Sequence, residues 1–174
     1  MKILVLNDYC CVGNCALKVN ISVLTQNGHE VFGVPTKIFS SNMSYKSYIS
    51  FDMPNFSEIT KKVFEIKDVD AIYIGFIDNR EYFNFIKEIL QNFKGKVILD
   101  PILGDNGVKY SGTKVEQIEF YKEFLKYTDV VTPNLTEAIL LTDYNKNFSE
   151  IKREDVEEIA KKIKKIGSKQ VLIK

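Results

Sequence analysis

The sequence predicts an α/β protein with a mostly parallel central sheet and helices on both of its faces. Three observations carry that expectation. The short, almost wholly apolar runs KILVL at 2–6, AIYI at 71–74 and KVIL at 96–99 have the length and composition of strands buried on both sides. Between them lie segments whose apolar residues recur at helical spacing. The first strand, helix and strand together take about thirty residues, the size of a crossover that returns the chain parallel to itself.

Taken in order, Lys2 to Leu6 is the first strand. Gly13 and Asn14 form a loop, and Ala16, Leu17, Ile21 and Leu24 then keep helical spacing until Gly28 ends the run. Glu30 to Val34 is the next strand. Residues 35–55 are irregular: Thr36 to Phe39 prolongs the strand, SSNMSYKSYIS has no helical period, and Pro54-Asn55 closes it. So long a connection reads as a functional loop, with an edge hairpin as the plainer alternative.

Phe56 to Ile66 is a helix with Ile59, Val63 and Ile66 on one side, and Ala71 to Ile74 is a strand stopped by Gly75. Arg80 to Phe93 is a helix striped by Phe83, Ile86, Ile89 and Leu90, and Lys96 to Leu99 is a strand halted by Asp100-Pro101. Gly104 to Gly112 is rich in turn formers and reads as a mobile loop. Val115 to Tyr127 is helical, with Phe120, Phe124 and Leu125 packing inward, and Asp129 to Val131 is a short strand. Asn134 and Glu137 then have the spacing of a capping box at the start of a helix. Ser149 caps a last helix with Ile159, Ile163 and Ile166 as its buried stripe, and Gly167 ends it. Lys169 to Lys174 is a final strand with no crossover after it.

Composition narrows the function. Lys plus Arg number 24 and Asp plus Glu 23, so a net charge of +1 gives no support for a nucleic-acid partner. A hydrophobic content of 45% excludes a disordered chain. No apolar run approaches the roughly 20 residues that span a bilayer, and no leader precedes Lys2, so a cytoplasmic protein without membrane contact is expected. Cys10, Cys11 and Cys15 are odd in number, and the single histidine, His29, weakens any zinc reading. A nucleophilic cysteine needs an adjacent base, and His29 lies across a helix from the cluster.

In an open parallel sheet, ligands bind outside the carboxyl ends of the strands. Asn7 and Asp8, Asp78 and Asn79, Asp100 and Asp105, and Thr132, Asn134 and Glu137 fall at such ends. Each has a plain structural reading, as a turn former or helix cap, and that reading is favoured for Asp8 and Asp78. Asp100, Asp105 and Glu137 together make a strong negative field, which would raise their pKa values unless a cation is present. Magnesium takes oxygen ligands and contacts substrate phosphates, which points to phosphoryl transfer. Neither GxGxxG nor GxxxxGK[ST] occurs, although the helix start near Gly13 still suits a polar ligand.

DPILGDNG at 100–107 and VTPNLTEAILL at 131–141 resemble the corresponding segments of bacterial pyridoxal, pyridoxine and pyridoxamine kinases, members of the ribokinase-like superfamily. VLNDYCCVGNCALKVNISVL at 5–24, PTKIFSSNMSY at 35–45 and GFIDN at 75–79 follow in the same order and spacing. The central segments also occur, altered, in hydroxymethylpyrimidine phosphate kinases. The resemblance implies a ribokinase-like three-layer α/β/α fold and ATP-dependent phosphorylation of the 5′-hydroxymethyl group of vitamin B6. It also implies ATP and Mg2+ as cofactors, K+ as an optional second cation, and a homodimer. Residue by residue, it places Asp105, Thr132, Asn134 and Glu137 at the nucleotide, Asp100 and Glu137 at the metal, and Asp8, Gly13, Met43 and Phe76 around the substrate ring.

The sequence departs from this family in three ways. Met43 stands where a threonine is usual and Phe76 where a tyrosine is usual, and each lost hydroxyl would weaken binding of a B6 substrate by about 1 kcal/mol. TDYN replaces a glycine-containing helix ending. The family also continues through a GxGD anion hole and its catalytic aspartate, with no matching segment here. The expectation is therefore a single, C-terminally incomplete domain over residues 1–174, inactive by itself. The alternatives are a non-catalytic binding or interaction protein derived from the fold, and a hydroxymethylpyrimidine kinase relative.

Overall fold

The first strand runs well past its apolar stretch, because residues 7–12 find partners on a neighbouring strand. The computed structural model describes residues 1–43, 45 and 47–174, which divide into two units, Met1–Lys96 and Val97–Lys174.

The first unit contains β1 (Lys2–Val12), α1 (Ala16–Gln26), β2 (Glu30–Ser41), β3 (Ser50–Asp52), α2 (Phe56–Ile66), β4 (Ala71–Ile74) and α3 (Arg80–Asn92). β1 pairs in parallel with β2 on one side and β4 on the other. β3 runs antiparallel to β2, with Lys37 opposite Asp52. The 35–55 connection is thus the edge hairpin rather than an irregular loop, although Ser44 and Lys46 within it lie outside the described residues. The β1–β2 register slips between Asn7, opposite Pro35, and Tyr9, opposite Ile38. That bulge reverses the facing of β2: Val34 and Thr36 are buried before it, Phe39 and Ser41 after it.

Leu4, Val5, Leu6, Ile72 and Ile74 fill the centre of this unit, and Phe56 of α2 stacks on Tyr82 of α3 at 4.3 Å. Lys37 ties the hairpin to the start of α3. Its Nζ lies 2.8 Å from Asp52 Oδ1 and 2.6 Å from Asp78 Oδ2, while the Asn79 side chain caps α3 by accepting from Glu81 N. Burial lowers the Lys37 pKa, but the Asp52 and Asp78 carboxylates outweigh it and leave the group raised. Asp78 is thus engaged by Lys37, and the helix cap beside it is Asn79.

The second unit contains β5 (Lys96–Leu99), whose first residue closes the unit before it, then β6 (Gly104–Asp105), β7 (Val108–Lys109), α4 (Val115–Phe124), β8 (Val130–Val131), α5 (Leu135–Thr142), α6 (Arg153–Ile166) and β9 (Gln170–Val171). β8 pairs in parallel with β5 and with β9. Leu99, Leu103, Tyr121, Phe124 and Leu141 are fully buried, as are Ile159 and Ile163 of α6. Ile66, expected on a buried stripe, is exposed as the last residue of its helix, and Ile166, the last residue of α6, is only half-buried. Ser149 sits in a separate 3-10 turn, and the α6 start is held instead by Asp155 Oδ2, which accepts from Lys152 N at 2.9 Å.

The expected C-terminally incomplete domain does not show as a loose end. Beyond β8, Leu172 N donates to Val131 O and Lys174 N to Pro133 O, each at 2.9 Å, so the chain is hydrogen-bonded to its last residue. Among the described residues no helix is long and apolar enough to cross a membrane.

The 104–112 segment is a hairpin rather than an unstructured loop. Asn106 (φ 50°) and Gly107 (φ 79°) both take positive φ between β6 and β7, the two-residue turn that Asn-Gly favours. A Cβ on Gly107 would also press on the Phe148 side chain at 2.9 Å. Gly107→Ala should destabilise the protein by about 1–2 kcal/mol, read as a lower urea midpoint at unchanged slope, while Asn106→Gly should leave the midpoint nearly unmoved.

Candidate functional site

On the second unit, the segments after β5 and β8 are sewn together by side chains meeting backbone. Asn134 is the N-cap of α5: its Oδ1 accepts from Glu137 N at 2.9 Å, and its Nδ2 donates to Gly104 O at 2.7 Å. Glu137 completes the capping box, with Oε2 accepting from Asn134 N at 2.8 Å. Its other oxygen reaches across and accepts from Leu103 N at 3.3 Å. Thr132 Oγ1 donates to Asp100 Oδ1 at 3.0 Å, and Lys174 Nζ lies 2.7 Å from the same oxygen. Thr136 Oγ1 accepts from Gly107 N at 2.8 Å, fixing the hairpin turn over α5.

The structure therefore gathers two hydrogen-bonded pairs, Asp100 with Thr132 and Asn134 with Glu137, coupled to each other by the field of Asp100 on Glu137. Asp105 is adjacent but exposed, its oxygens accepting from the backbone and side chain of Asn106. Glu137 is 3% exposed. Burial pushes its pKa up to about 7, its two backbone donors oppose that rise, and the Asp100 carboxylate adds to it. Tyr110 was not singled out from the sequence. Burial and then the Glu137, Asp105 and Asp100 carboxylates raise its phenol, so all four groups share one field.

Among the described residues no three or more His, Cys, Asp or Glu side chains form a ready-made metal cage. Asp100 and Glu137 are nonetheless hard oxygen donors of the type that suits Mg2+, which commonly takes one or two carboxylates plus waters and substrate phosphates.

On the first unit, Asn7, named from the sequence only as a strand-end residue, is the organiser. It is 2% exposed; its Oδ1 accepts from Asp8 N and Phe76 N, both at 2.9 Å, and its Nδ2 donates to Asn20 Oδ1 at 2.8 Å. Gly75 passes so close to the Asn7 amide that any Cβ there would collide with it. Asp8 sits at the β1–β2 bulge, 7% exposed, with Oδ2 accepting from the Cys10 thiol at 3.3 Å. Burial raises its pKa, against the lowering effect of the Cys10 hydrogen bond and the backbone.

Gly13 follows β1, and a Cβ there would lie 3.7 Å from Asn42 Nδ2. The Val12–Ser41 pairing thus brings the Gly13 turn beside the turn that holds Met43, which is half-buried. The Phe76 ring is 5% exposed and packs edge-on against Phe39 at 5.6 Å, while its carbonyl accepts from Thr36 Oγ1. Asp8 and Phe76 are linked through Asn7, and Gly13 and Met43 through the strand ends.

The electrostatics of Glu137 are testable. The folded protein keeps its proton up to about pH 7, whereas the unfolded chain releases it near 4.5. The folded state therefore binds more protons across that window. The stabilisation is whole below pH 4.5 and lost as pH rises through about 7. In metal-free buffer, urea unfolding should show stability falling by roughly 3 kcal/mol across this range. Glu137→Gln should abolish most of that slope, and an unchanged slope would refute the assignment.

Comparison with known proteins agrees with this geometry. The sequence model of the phosphomethylpyrimidine kinase family matches residues 17–174. A hydroxymethylpyrimidine/phosphomethylpyrimidine kinase of Aquifex aeolicus is 32% identical over 156 residues, which is 86% of this chain and 51% of that protein. A candidate phosphomethylpyrimidine kinase from Bacteroides thetaiotaomicron, solved with pyridoxal, superposes with a TM-score of 0.88 at 26% identity over 96% of this chain and 60% of that one. A pyridoxal kinase from Leishmania donovani in complex with ADP shares the fold at a TM-score of 0.85 and 23% identity, over 98% of this chain and 60% of that one.

The chain thus spans about half the length of the curated relative and three fifths of the solved ones. The likeness places the fold in the ribokinase-like three-layer α/β/α class with a mostly parallel sheet. Solved relatives with this fold match 96–98% of the chain, which corrects the expectation of a C-terminally incomplete domain to this extent: the fold accounts for the described residues through the last strand. With its family signature running from the first helix to the last residue, this chain belongs to the phosphomethylpyrimidine kinase family.

Proposed function

We propose that the protein is an ATP-dependent kinase for a primary alcohol carried as a hydroxymethyl group on a nitrogen heteroaromatic ring. Hydroxymethylpyrimidine or its monophosphate is the first acceptor, and pyridoxal, pyridoxine or pyridoxamine the second. Family membership supports the kinase class. The observation that supports the reading is the pair of bonded sets, Asp100 with Thr132 and Asn134 with Glu137, which gathers hard oxygen donors and hydrogen-bonding groups where the loops after β5 and β8 meet. The pyrimidine is preferred because Met43 and Phe76 offer no hydroxyl where B6 kinases usually have one.

In the reaction, the acceptor oxygen attacks the γ-phosphorus of ATP, the alcohol proton passes to water, and the bond from phosphorus to the ADP oxygen breaks with its electrons passing to ADP. Asp105, Thr132, Asn134 and Glu137 serve the nucleotide, and Asp100 and Glu137 hold Mg2+, which supplies charge neutralisation on the phosphates. Glu137 would suit that task because its pKa of about 7 leaves the carboxylate form within reach near neutrality, where a bound cation would favour it. K+ is an optional second cation with no residue assigned to it. On the first unit, Asp8 receives a donor from the ring or its amine, Phe76 and Met43 supply apolar contact, and Gly13 lets the backbone approach closely.

A coupled ATP-consumption assay with each acceptor tests this. ADP should form only with Mg2+ and an acceptor present, faster with the pyrimidine than with pyridoxal. Asp100→Asn should lower kcat on the order of a hundredfold. Acceptor-independent hydrolysis alone, or no ATP use with any of these alcohols, would overturn the assignment.

A further inference from the structure

Strands β5, β8 and β9 lie side by side, and the chain keeps that order past their ends. Thr132 N donates to Leu99 O, Leu172 N to Val131 O and Lys174 N to Pro133 O, each at 2.9 Å. Lys174 thus stands on the β9 side of the β8 extension, while Asp100 follows β5 on the other side. The lysine side chain bridges that gap. Its Nζ lies 2.7 Å from Asp100 Oδ1, the oxygen that also accepts from Thr132 Oγ1 at 3.0 Å. Its charge acts on Glu137 as well, where it favours the ionised form. A positive charge therefore already stands beside the two carboxylates assigned above to Mg2+.

We propose that Lys174 sets the cation specificity of this site: its ammonium is a resident counter-ion of Asp100 that a divalent cation has to displace, so the protein alone holds free Mg2+ only weakly. This rests on the metal role proposed for Asp100 above. The Asp100 side chain is 22% exposed and that of Lys174 50%. The carboxylate is therefore sheltered enough to need a partner, while the ammonium is free to leave into water on its flexible four-carbon stem. So open an ion pair is weak, and its rupture is within reach of a divalent ion. Mg2+ keeps several of its waters and needs the room that the ammonium takes up. Two positive charges at one carboxylate also repel each other. The exchange moves no proton: the ammonium stays charged, and the Thr132 hydroxyl keeps Asp100 in place. A free cation meets that repulsion in full. One already bound to a polyphosphate carries net negative charge and does not, so the lysine selects the phosphate-bound form of the metal over the bare ion.

The test is isothermal titration of the nucleotide-free protein with MgCl2 at constant ionic strength. Lys174→Met, which keeps an apolar stem and loses the charge, should bind Mg2+ about three- to tenfold more tightly than the wild type. Lys174→Gln, a second neutral variant, should do the same, and Lys174→Arg should stay near the wild-type affinity. Lys169→Met removes an equal charge from the neighbouring pair with Asp129 and should leave Mg2+ binding unmoved. Adding Asp100→Asn to Lys174→Met should cancel the gain. Unchanged or weaker affinity in both neutral variants with circular dichroism unaltered, an equal gain in Lys169→Met, or a gain that survives Asp100→Asn would each overturn the proposal. Binding that needs Asp100 yet ignores Lys174 refutes this inference alone. Asp100→Asn binding Mg2+ as the wild type does would remove the metal assignment and this inference with it.

Discussion

A carboxylate taken out of water must be met by donors, and Glu137 meets two that belong to different segments of the chain. One is the backbone N–H of its own helix cap and the other is that of Leu103, 34 residues earlier. The second bond is what makes a local cap into a joint. Replacing a buried acceptor of this kind costs the desolvation of the groups it leaves behind, about 1–3 kcal/mol for each. Asn134 works in the opposite sense, accepting within its helix and donating to Gly104 O outside it. The loop after β5 and the start of α5 are therefore held in place by side chains whose first duty is to the backbone. Capping and ligand holding are not rival explanations here, since a carboxylate oxygen has more than one lone pair and each of these accepts a single hydrogen bond.

How much of this could be read from the sequence varied with how local the cause was. The helices over 56–66 and 80–92 and the strands at 71–74 and 96–99 emerged because their periodicity is carried by adjacent residues. The Asn134–Glu137 cap was legible from a three-residue spacing. The continuation of β1 through residues 7–12 was not, because that stretch mixes polar and apolar residues and is a strand only by virtue of β2 beside it. The edge hairpin was legible only as an alternative for the same reason. Ile66 and Ile166 show a different failure: helical period was extended to terminal residues that the packed surface reaches in part, at Ile166, or not at all, at Ile66. The Asn106-Gly107 turn had an adequate signal, the dipeptide itself, but its composition was taken for looseness.

The candidate site repeats the pattern. Asp100, Thr132, Asn134 and Glu137 were named from strand ends and motif and are found as two bonded pairs, Asp100 with Thr132 and Asn134 with Glu137. Asn7 was mentioned only in passing, yet it orders Asp8 and Phe76 together. Nothing near Asn7 in the chain announces that role, since one of the amides it receives lies 69 residues away. Tyr110 was overlooked because a tyrosine among turn formers looks incidental until the carboxylates around it are seen.

The register slip at Asp8 has an evolutionary corollary. Strand β2 is in effect two short strands spliced with opposite facing. Its proximal half is committed to the centre of the unit, while its distal half leads to the turn at Met43. A splice of this kind decouples the two. Replacements along the distal half can accumulate without changing which residues of the proximal half point inward, so a lineage can retune what the far end touches while inheriting the same interior.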